Sequence, residues 1–337
     1  MTIGVLLYVF YRQCELLHPY GAELRAVITT TQPWLIFLML YSSFCKVQLS
    51  CLRLRRHFLL PLLIQCVCFL VSAFVAYHVQ GDWAIVIESF MICMICPTAT
   101  AAVVVTGKLG GDTLDVTAYT ILINIVVALL IPAVVPILHP HPGQTFCTTF
   151  AQLILHIFPM LICPLFAAAL TRSYLPRLHR LVTSIPDFAF YLWAISLSMC
   201  LTMTARCLYQ NHVSTFLLIG MAAATALSCI LQFWAGRCIG ARVGRPISGG
   251  QSLGQKNTAF AIWMAYTFLD PVTSVAGGFY SLWHNIYNSW QLARHKAASE
   301  KRESTALCLQ SVSKVFVLIV YTIYIIGIVP RWTHTIQ

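Results

Sequence analysis

Charged residues are scarce in this sequence. Asp, Glu, Lys and Arg make up 9% of the chain and 59% of its residues are hydrophobic, whereas ordinary soluble domains hold about 25% charged residues. Such a chain cannot cover itself with a polar surface, which excludes an ordinary soluble domain. Its 21 Lys and Arg outnumber 10 Asp and Glu, but they are divided among apolar segments instead of gathered on one face, so we expect no nucleic-acid partner.

Several recognised motifs are also missing. The 14 cysteines lack the spacing of a disulfide framework or a zinc site, and we expect them to be small residues of membrane helices. Neither a HExxH metal motif nor a nucleophile with its base is evident, so we expect no enzyme and no organic cofactor. The opening MTIGVLLYVFY has no basic region and no cleavage site, which predicts a first membrane segment instead of a removed signal.

Long apolar runs are abundant. A run of about 20 apolar residues crosses the ~30 Å hydrocarbon core, and such runs must be helical because lipid leaves unpaired backbone groups unsatisfied. We predict an all-α polytopic membrane protein whose transporter domain covers 1–296, followed by a polar linker and an apolar tail over 297–337. A run at 315–329 either spans the membrane or lies at its interface. Hydropathy places the segments at 2–17, 32–50, 59–79, 84–108, 113–138, 147–172, 186–207, 214–240, 247–269 and 271–294.

Basic residues favour one set of connections between these segments. Cytoplasmic loops hold the excess of Lys and Arg, and the opposite set contains only Arg12, Arg25 and Arg206. We therefore predict an inner-membrane protein with both ends of its ten-segment core in the cytoplasm. The richer set holds sixteen basic residues: Lys46, Arg53, Arg55, Arg56, Lys108, Arg172, Arg177, Arg180, Arg237, Arg242, Arg245, Arg294, Lys296, Lys301, Arg302 and Lys314.

A faint internal repeat separates matching positions by about 153 residues. Pro33-Trp34 matches Pro186-Asp187 at the openings of segments two and seven, and Ser42-Ser43-Phe44-Cys45 matches Ile195-Ser196-Leu197-Ser198. Five is an odd number of crossings, so a repeat of five helices is inverted, and such repeats hold a binding site at the membrane midplane on interrupted helices. We expect the two halves to cover about 1–140 and 147–296.

Two segments contain residues that disfavour a continuous helix. Segment four contains Cys96-Pro97-Thr98-Ala99-Thr100-Ala101, and segment nine contains Gly249-Gly250-Gln251-Ser252-Leu253-Gly254-Gln255-Lys256-Asn257. Proline lacks an amide hydrogen, and consecutive glycines and polar residues loosen a helix. Each break lies 11 residues from a flanking basic residue, Lys108 or Arg245, which places both at a similar depth of about 16 Å. We expect them to meet in a polar cavity, with a simple kink at Pro97 as the alternative.

These residues resemble the bile acid:sodium symporter family, as a divergent member of bacterial type. The resemblance extends from about Trp34 to Lys296, with gap-free spacing from Gln65 to Thr120. It implies ten helices, with segments four and nine crossing beside two sodium sites and a substrate cavity. It also implies a panel of segments one, two, six and seven. The motifs that carry it are Cys96-Pro97 with Thr100-Ala101, Gly254-Gln255-Lys256-Asn257 and Tyr280-Ser281-Leu282-Trp283-His284-Asn285.

The sodium positions implied by the resemblance are degraded in this chain. Sodium requires several hard oxygen ligands and favours negative charge, and an ammonium within a few ångströms repels it. We therefore predict absent or weak sodium dependence, with proton coupling as an alternative. The family's Ser-Asn pair corresponds to Ala102 and Val103, its acidic ligand to Ser252, one hydroxyl to Val116 and one glutamine to Lys256, whereas Gln65, Thr120 and Asn257 are retained.

Lys256 has three possible roles at this site. It can donate hydrogen bonds to Gln65 and to carbonyls freed by the crossing, exchange a proton during transport, or pair with a substrate carboxylate. A lysine without a role would extend to the membrane interface, which its depth disfavours.

Polar residues on two further segments could line the cavity or bond to neighbouring helices. Thr113, Thr117, Thr120 and Asn124 share one helix face, and a second stripe contains His284, for which we favour packing over proton relay. Glu88 lies near the outer boundary, where we expect hydration over an ion-binding role. The candidate substrate- or ion-binding residues are Gln65, Pro97, Thr98, Thr100, Thr120, Asn124, Ser252, Gln255, Lys256, Asn257, His284 and Asn285.

The sequence therefore predicts a secondary transporter or facilitator that moves a small organic anion by alternating access, with the anion and the lipid bilayer as its partners. Lys256 would replace a coupling cation. Two alternatives stay open, a membrane sensor or binding protein that no longer transports, and a conventional sodium-coupled symporter of bile-acid type.

Overall fold

The computed structural model describes residues 2–47, 52–140, 142–211 and 213–299, and this part of the chain is helical without a β-strand. Short 3₁₀ turns at Glu15–Tyr20, Arg56–Phe58 and Pro271–Ser274 join some of the helices. The α-helices are α1 (Thr2–Gln13), α2 (Gly21–Cys45), α3 (Leu59–His78), α4 (Asp82–Ile95), α5 (Ala101–Lys108), α6 (Thr113–Leu138), α7 (Phe146–Leu161), α8 (Cys163–Tyr174), α9 (Pro176–Ser184), α10 (Phe188–Gln210), α11 (Thr215–Ala241), α12 (Pro246–Gly254), α13 (Thr258–Phe268) and α14 (Val275–Ser299).

Five stretches in the described residues are long and apolar enough to cross a membrane. They are Arg56–His78, Thr113–Leu138, Phe146–Tyr174, Phe188–Gln210 and Thr215–Ala241. Most of their surface faces outward, since between 33% and 44% of each apolar window is buried inside the protein. Long helices with apolar outer faces fit a membrane-embedded protein, because lipid accepts those faces and water does not.

Several predicted segments agree with the helices. The segment 113–138 matches α6 at both ends, and 59–79, 186–207 and 214–240 match α3, α10 and α11 within a few residues. Segments four and nine are each interrupted, as α4 with α5 and α12 with α13. Their halves are too short to span alone, and the predicted run 315–329 lies outside the described residues.

One predicted helix start is wrong, and two connections contain details that hydropathy did not predict. The second helix begins at Gly21, not at residue 32, so Pro33 lies inside α2 and does not open it as Pro186 precedes α10. The predicted segment 147–172 lies within the membrane-length stretch Phe146–Tyr174, in which Ile162 separates α7 from α8 and Pro164 follows at the start of α8. Proline there lacks the amide hydrogen that a continuous helix would use. A further helix, α9, occupies the basic connection after α8.

Close helix packing holds the interrupted segment in place. At Gly236 of α11, an added Cβ would lie 2.3 Å from the carbonyl oxygen of Gly249, and a Cβ on Gly249 of α12 would lie 2.3 Å from the carbonyl oxygen of Gly236. Glycines therefore let the two backbones touch, as small residues do in membrane helix pairs. This contact fixes α12 against the long helix α11.

An ionic cluster joins three of the basic connections. The buried carboxylate of Asp115 lies 2.6 Å from Nη1 of Arg245, 3.3 Å from Nε of Arg55 and 3.0 Å from Nε2 of His57. Arg245 also lies 2.7 Å from Oδ2 of Asp112. The start of α6 is thereby tied to the residues before α3 and α12, so these connections lie at one end of the bundle, which we name the basic end.

Candidate functional site

The two interrupted segments cross, and their extended residues are hydrogen-bonded to each other. Thr98 and Lys256 form an isolated antiparallel bridge. The amide of Asn257 donates to the carbonyl of Pro97 at 2.8 Å, and the amide of Ala99 donates to the carbonyl of Gln255 at 2.9 Å. The expected interruptions after Cys96 and around Gln255 are therefore both present and in contact.

The local sequence accounts for both breaks. Cys96 adopts an extended conformation (φ −45°, ψ 136°), which is the conformation that a following proline favours. In the other segment, a Cβ on Gly254 would lie 2.3 Å from the ring of Phe233, so only glycine fits against that ring. The first segment thus leaves its helix before a proline, which has no amide hydrogen. The second leaves its helix after a glycine, which has no side chain.

Side chains satisfy the backbone carbonyls that the breaks leave free. Gln65 donates to the carbonyl oxygens of Met94 at 2.8 Å and Cys96 at 3.4 Å. Thr98 Oγ1 donates to the carbonyl of Ser252 at 2.7 Å. Helix ends leave such acceptors unpaired, and within a membrane only the protein can supply donors.

Two residues of this arrangement were not among the sequence-based candidates. Tyr280 donates its hydroxyl to the carbonyl of Gly254 at 2.7 Å, and Gln232 donates to the carbonyl of Cys93 at 3.2 Å. Gln232 is a fully buried amide within the apolar helix α11. An isolated amide in an apolar run is the signal that could have identified it, since such residues usually have a specific partner.

Lys256 lies inside the crossing with 1% of its surface exposed. Its Nζ atom has no hydrogen-bond partner among the residues that the structure describes. The ammonium therefore neither reaches the interface nor meets a carboxylate within this part of the chain.

The first of the three possible roles, donation from Lys256 to Gln65 and to free carbonyls, is absent among the described residues, because Nζ has no hydrogen-bond partner there. Gln65 directs its amide nitrogen to the carbonyls of Met94 and Cys96, and its Oε1 accepts the hydroxyl of Tyr119 at 2.6 Å. Because its amide is occupied in this way, Gln65 serves as a backbone cap. Two of the three proposed roles for Lys256 stay open, proton exchange and pairing with an anion.

The remaining candidates on the second broken segment are buried in the crossing. Asn257 accepts the amide of Phe260 at 3.2 Å and so caps α13, while its Nδ2 is unpaired in the described residues. Ser252 is 5% exposed and offers its carbonyl to Thr98. Gln255 accepts a hydrogen bond from Asn288 of α14 at 3.1 Å. These residues fix the crossing to its neighbours.

A small pocket lies between α2 and the crossing. Its lining residues come from the end of α2, the first broken segment and α6, and the space holds about one water molecule. Two candidates, Thr100 and Thr120, lie on it, together with Thr117 of the α6 stripe. The pocket is lined by Ser43, Phe44, Val47, Thr100, Val103, Thr117 and Thr120.

Three of the expected sodium positions carry side chains without an oxygen atom. Ala102 and Val116 are fully buried, and Val103 lines the small pocket. Thr120 donates to the carbonyl of Val116 one turn earlier at 2.8 Å. Its hydroxyl proton is used within α6, although its oxygen can still accept a hydrogen bond.

Three further candidates lie outside this pocket. Asn124 donates to the carbonyl of Leu161 at 3.4 Å, where α7 ends. His284 is 3% exposed and packs edge-on to Tyr280 with ring centroids 5.7 Å apart. Asn285 donates to the carbonyl of Ser281 in its own helix at 2.7 Å. Asn124 joins two helices, whereas His284 and Asn285 make their contacts within α14. Of the three residues, His284 packs against Tyr280, which caps the crossing.

Glu88 is buried, so the expectation that it is hydrated is wrong. It is 5% exposed; its Oε1 lies 2.8 Å from Nε2 of His139, and its Oε2 accepts the hydroxyl of Thr273 at 3.0 Å. The residues that cover it come from the end of α6 and the turn before α14. Both are distant from Glu88 in the sequence, so hydropathy could not predict that they bury it. The carboxylate is a structural junction between three elements at the end opposite the basic end.

Comparison with known proteins leaves the family open. No protein-family model matches the sequence, and no curated protein matches it. The resemblance to the bile acid:sodium symporter family therefore depends on the motifs of segments four, nine and ten.

Proposed function

We propose that this protein is a secondary transporter of a small organic anion, which binds beside Lys256 at the crossing of the two broken segments. The observation that carries the proposal is the buried Nζ of Lys256, which lacks a partner among the described residues. An isolated buried charge costs several kcal/mol, and an anionic cargo at the crossing would offset that cost. The resemblance to a family of organic-anion carriers supports the same reading.

The cargo reaches Lys256 by movement of α2 relative to the crossing. The pocket between them holds about one water molecule, so an organic anion requires it to widen. Thr100 and Thr120 already face this pocket and can offer hydroxyl oxygens to the cargo. In this proposal the carrier has ten segments in two inverted halves, lies in the inner membrane and keeps the basic end in the cytoplasm.

Coupling proceeds without sodium at the positions where relatives bind it. Ala102, Val103 and Val116 supply no side-chain oxygen, and the nearby ammonium opposes a cation. A neutral amine costs less to bury than an unpaired ammonium. Lys256 can therefore take up a proton together with the anion and release it afterwards, which would couple the anion to a proton.

Counterflow in proteoliposomes tests this function. The purified chain is reconstituted and loaded in turn with members of a panel of organic acids, and uptake of the labelled acid is measured with sodium, with potassium and across a pH step. We expect uptake of at least one acid that is equal in sodium and potassium and rises when the outside is acidified. Uptake that requires sodium contradicts the coupling and indicates a conventional symporter. Saturable binding without flux for the whole panel indicates a membrane sensor or binding protein.

A further inference from the structure

A long apolar groove runs along the outside of the protein between α11 and α14, away from the crossing. Its cavity volume is about 830 Å³, within the ~300–1,000 Å³ range of sites that enclose small organic ligands. Five of its thirteen lining residues are aromatic, and most of the others are apolar. The residues that define it are Phe233, Trp234 and Arg237 on α11 and Trp283, Tyr287 and Trp290 on α14.

The walls of the groove are held in place by specific contacts. Trp283 donates its indole hydrogen to the carbonyl of Ala222 at 3.1 Å and to the hydroxyl of Thr225 at 3.2 Å. The rings of Phe233 and Tyr287 pack with centroids 4.2 Å apart. At the rim, Trp234 is 64% exposed. The groove is therefore preformed and opens outward, toward the surroundings of the bundle.

The length of the groove corresponds to one leaflet of a bilayer. Its lining on α11 continues to Ala241, but the charge of Arg237 lies eleven residues after Ala226, and the apolar stretch before that charge covers about 16 Å. This is close to half of the ~30 Å hydrocarbon core. A membrane helix from another protein would occupy both leaflets, whereas a lipid acyl chain occupies one.

The charge of the groove is confined to one end. Arg237 lines the groove near the start of α12. Within the part of the chain that the structure describes, no carboxylate forms an ion pair with it. Its side chain passes Gly250, where an added Cβ would lie 2.7 Å from Cγ of Arg237. A second cation, Arg294, lies 4.9 Å above the ring of Trp290. An apolar slot one leaflet long that ends in unpaired positive charge is complementary to an anionic amphiphile.

We propose that the groove binds one anionic phospholipid from the leaflet at the basic end. An acyl chain lies between Phe233, Trp283 and Tyr287, and the headgroup phosphate pairs with Arg237. Guanidinium groups bind phosphate oxygens through paired hydrogen bonds, and tryptophan rings lie at the level of lipid headgroups. The site is separate from the transport proposal and does not depend on it.

Native mass spectrometry of the purified full chain tests this site. Delipidated protein in detergent is titrated with dioleoyl phosphatidylglycerol or with dioleoyl phosphatidylcholine, and the occupancy of the first bound lipid is compared. We expect a preference for the anionic lipid that Arg237→Gln reduces about five-fold, the size of one arginine contact at an anionic surface. Ala226→Phe, which fills the apolar end, should weaken both lipids.

Arg242→Gln is the matched control, because Arg242 is exposed at the end of α11 but does not line the groove. It should leave occupancy of the first lipid unchanged, and equal thermal unfolding of all variants shows that they fold. Equal losses for Arg242→Gln and Arg237→Gln would overturn the site in favour of general surface attraction. A dimer that Ala226→Phe dissociates would assign the groove to a second copy. Tighter first-lipid binding after removal of residues 300–337 would assign it to the chain's own tail.

Discussion

At the scale of single residues, Lys256 combines a cost in stability with a proposed role in transport. Its side chain is among the largest that are fully buried, and its amine is unpaired within the described residues. Gln65 of α3, which caps carbonyls of the first broken segment, has both ends of its amide bonded. Two buried polar residues in one site therefore have opposite consequences for the free energy of unfolding.

We predict that Lys256→Met stabilises the protein and abolishes anion uptake. Methionine fills a similar volume without a charge to desolvate, and comparable replacements of buried charges stabilise proteins by about 1–4 kcal/mol. The thermal unfolding midpoint in detergent should rise by several degrees. Uptake in proteoliposomes should fall to background, because the positive pole for the anion is gone.

Gln65→Met is the matched control, since it introduces the same residue at another fully buried polar position of the site. It should lower the unfolding midpoint, because it leaves the carbonyls of Met94 and Cys96 and the hydroxyl of Tyr119 unpaired. Uptake by Lys256→Met at the rate of the unmodified chain would remove Lys256 from the mechanism. A midpoint as low as that of Gln65→Met would mean that the ammonium is paired.

The second prediction for a single residue concerns His139 and the dependence of stability on pH. It lies just beyond the end of α6, where the hydrogen bond to the Glu88 carboxylate raises its pKa above the ordinary 6.5, and Asp270 acts in the same direction. Folding therefore favours the protonated imidazole. The stability from this pair is fully present below pH 6.5 and is lost as pH rises through the raised pKa.

We expect His139→Gln to remove this pH dependence. Unfolding midpoints are measured between pH 5.5 and pH 8.5 for the unmodified chain and the variant, and their difference isolates His139 from other titrating groups. The stabilisation over the variant should shrink toward alkaline pH. A difference that stays constant, or that grows with pH, would contradict the link between His139 and Glu88.

At the scale of helices, the glycine contact between α11 and α12 limits where the second broken segment can lie. We predict that Gly236→Ala destabilises the protein by about 1–3 kcal/mol, the range for overpacked sites, because its Cβ would lie 2.3 Å from the carbonyl oxygen of Gly249. The unfolding midpoint and the yield of folded protein in detergent should both fall.

Gly278→Ala on α14 is the control for that prediction. A Cβ there would lie 3.5 Å from Cδ2 of Leu201, an ordinary contact, and alanine within a helix is about 0.5–1 kcal/mol better than glycine. The midpoint should rise slightly. If both variants behave alike, helix propensity decides their stability and the close approach of α11 and α12 has no effect.

Parts of these helices were predictable and others were not. The bounds of α6 follow from a long, mostly apolar run, and the missing amide hydrogen of Pro97 favours the break there, although Pro132 and Pro136 lie inside α6 without breaking it. The start of α2 at Gly21 was missed because Thr29, Thr30 and Thr31 lower the local hydropathy without breaking a helix. The capping roles of Gln232 and Tyr280 depend on which helices are neighbours, and hydropathy contains no information about that.

At the scale of the whole molecule, the small pocket lies where α2 meets the crossing and α6. On its other side α2 packs against α8 and α10, and the buried side chain of Gln32 donates to Ser196 of α10. In the alternating-access proposal α2, α8 and α10 move together, while the crossing and α6 belong to the other body. The pocket is then the boundary between two moving parts, and contacts across it must separate in each cycle.

We predict that a cross-link over this boundary stops uptake, whereas one within the α2–α10 pair does not. Ser43→Cys with Val103→Cys places one thiol on α2 and one on the first broken segment, both lining the pocket, and Gln32→Cys with Ser196→Cys replaces a contact within one body. A short bifunctional thiol reagent is applied to both variants and to the unmodified chain, whose native cysteines give the baseline. Counterflow should be lost only in the first variant and should return when the cross-link is reduced.

Full uptake by the cross-linked first variant would mean that the cargo does not pass between α2 and the crossing. Equal losses in both variants would mean that the two parts are not separate bodies.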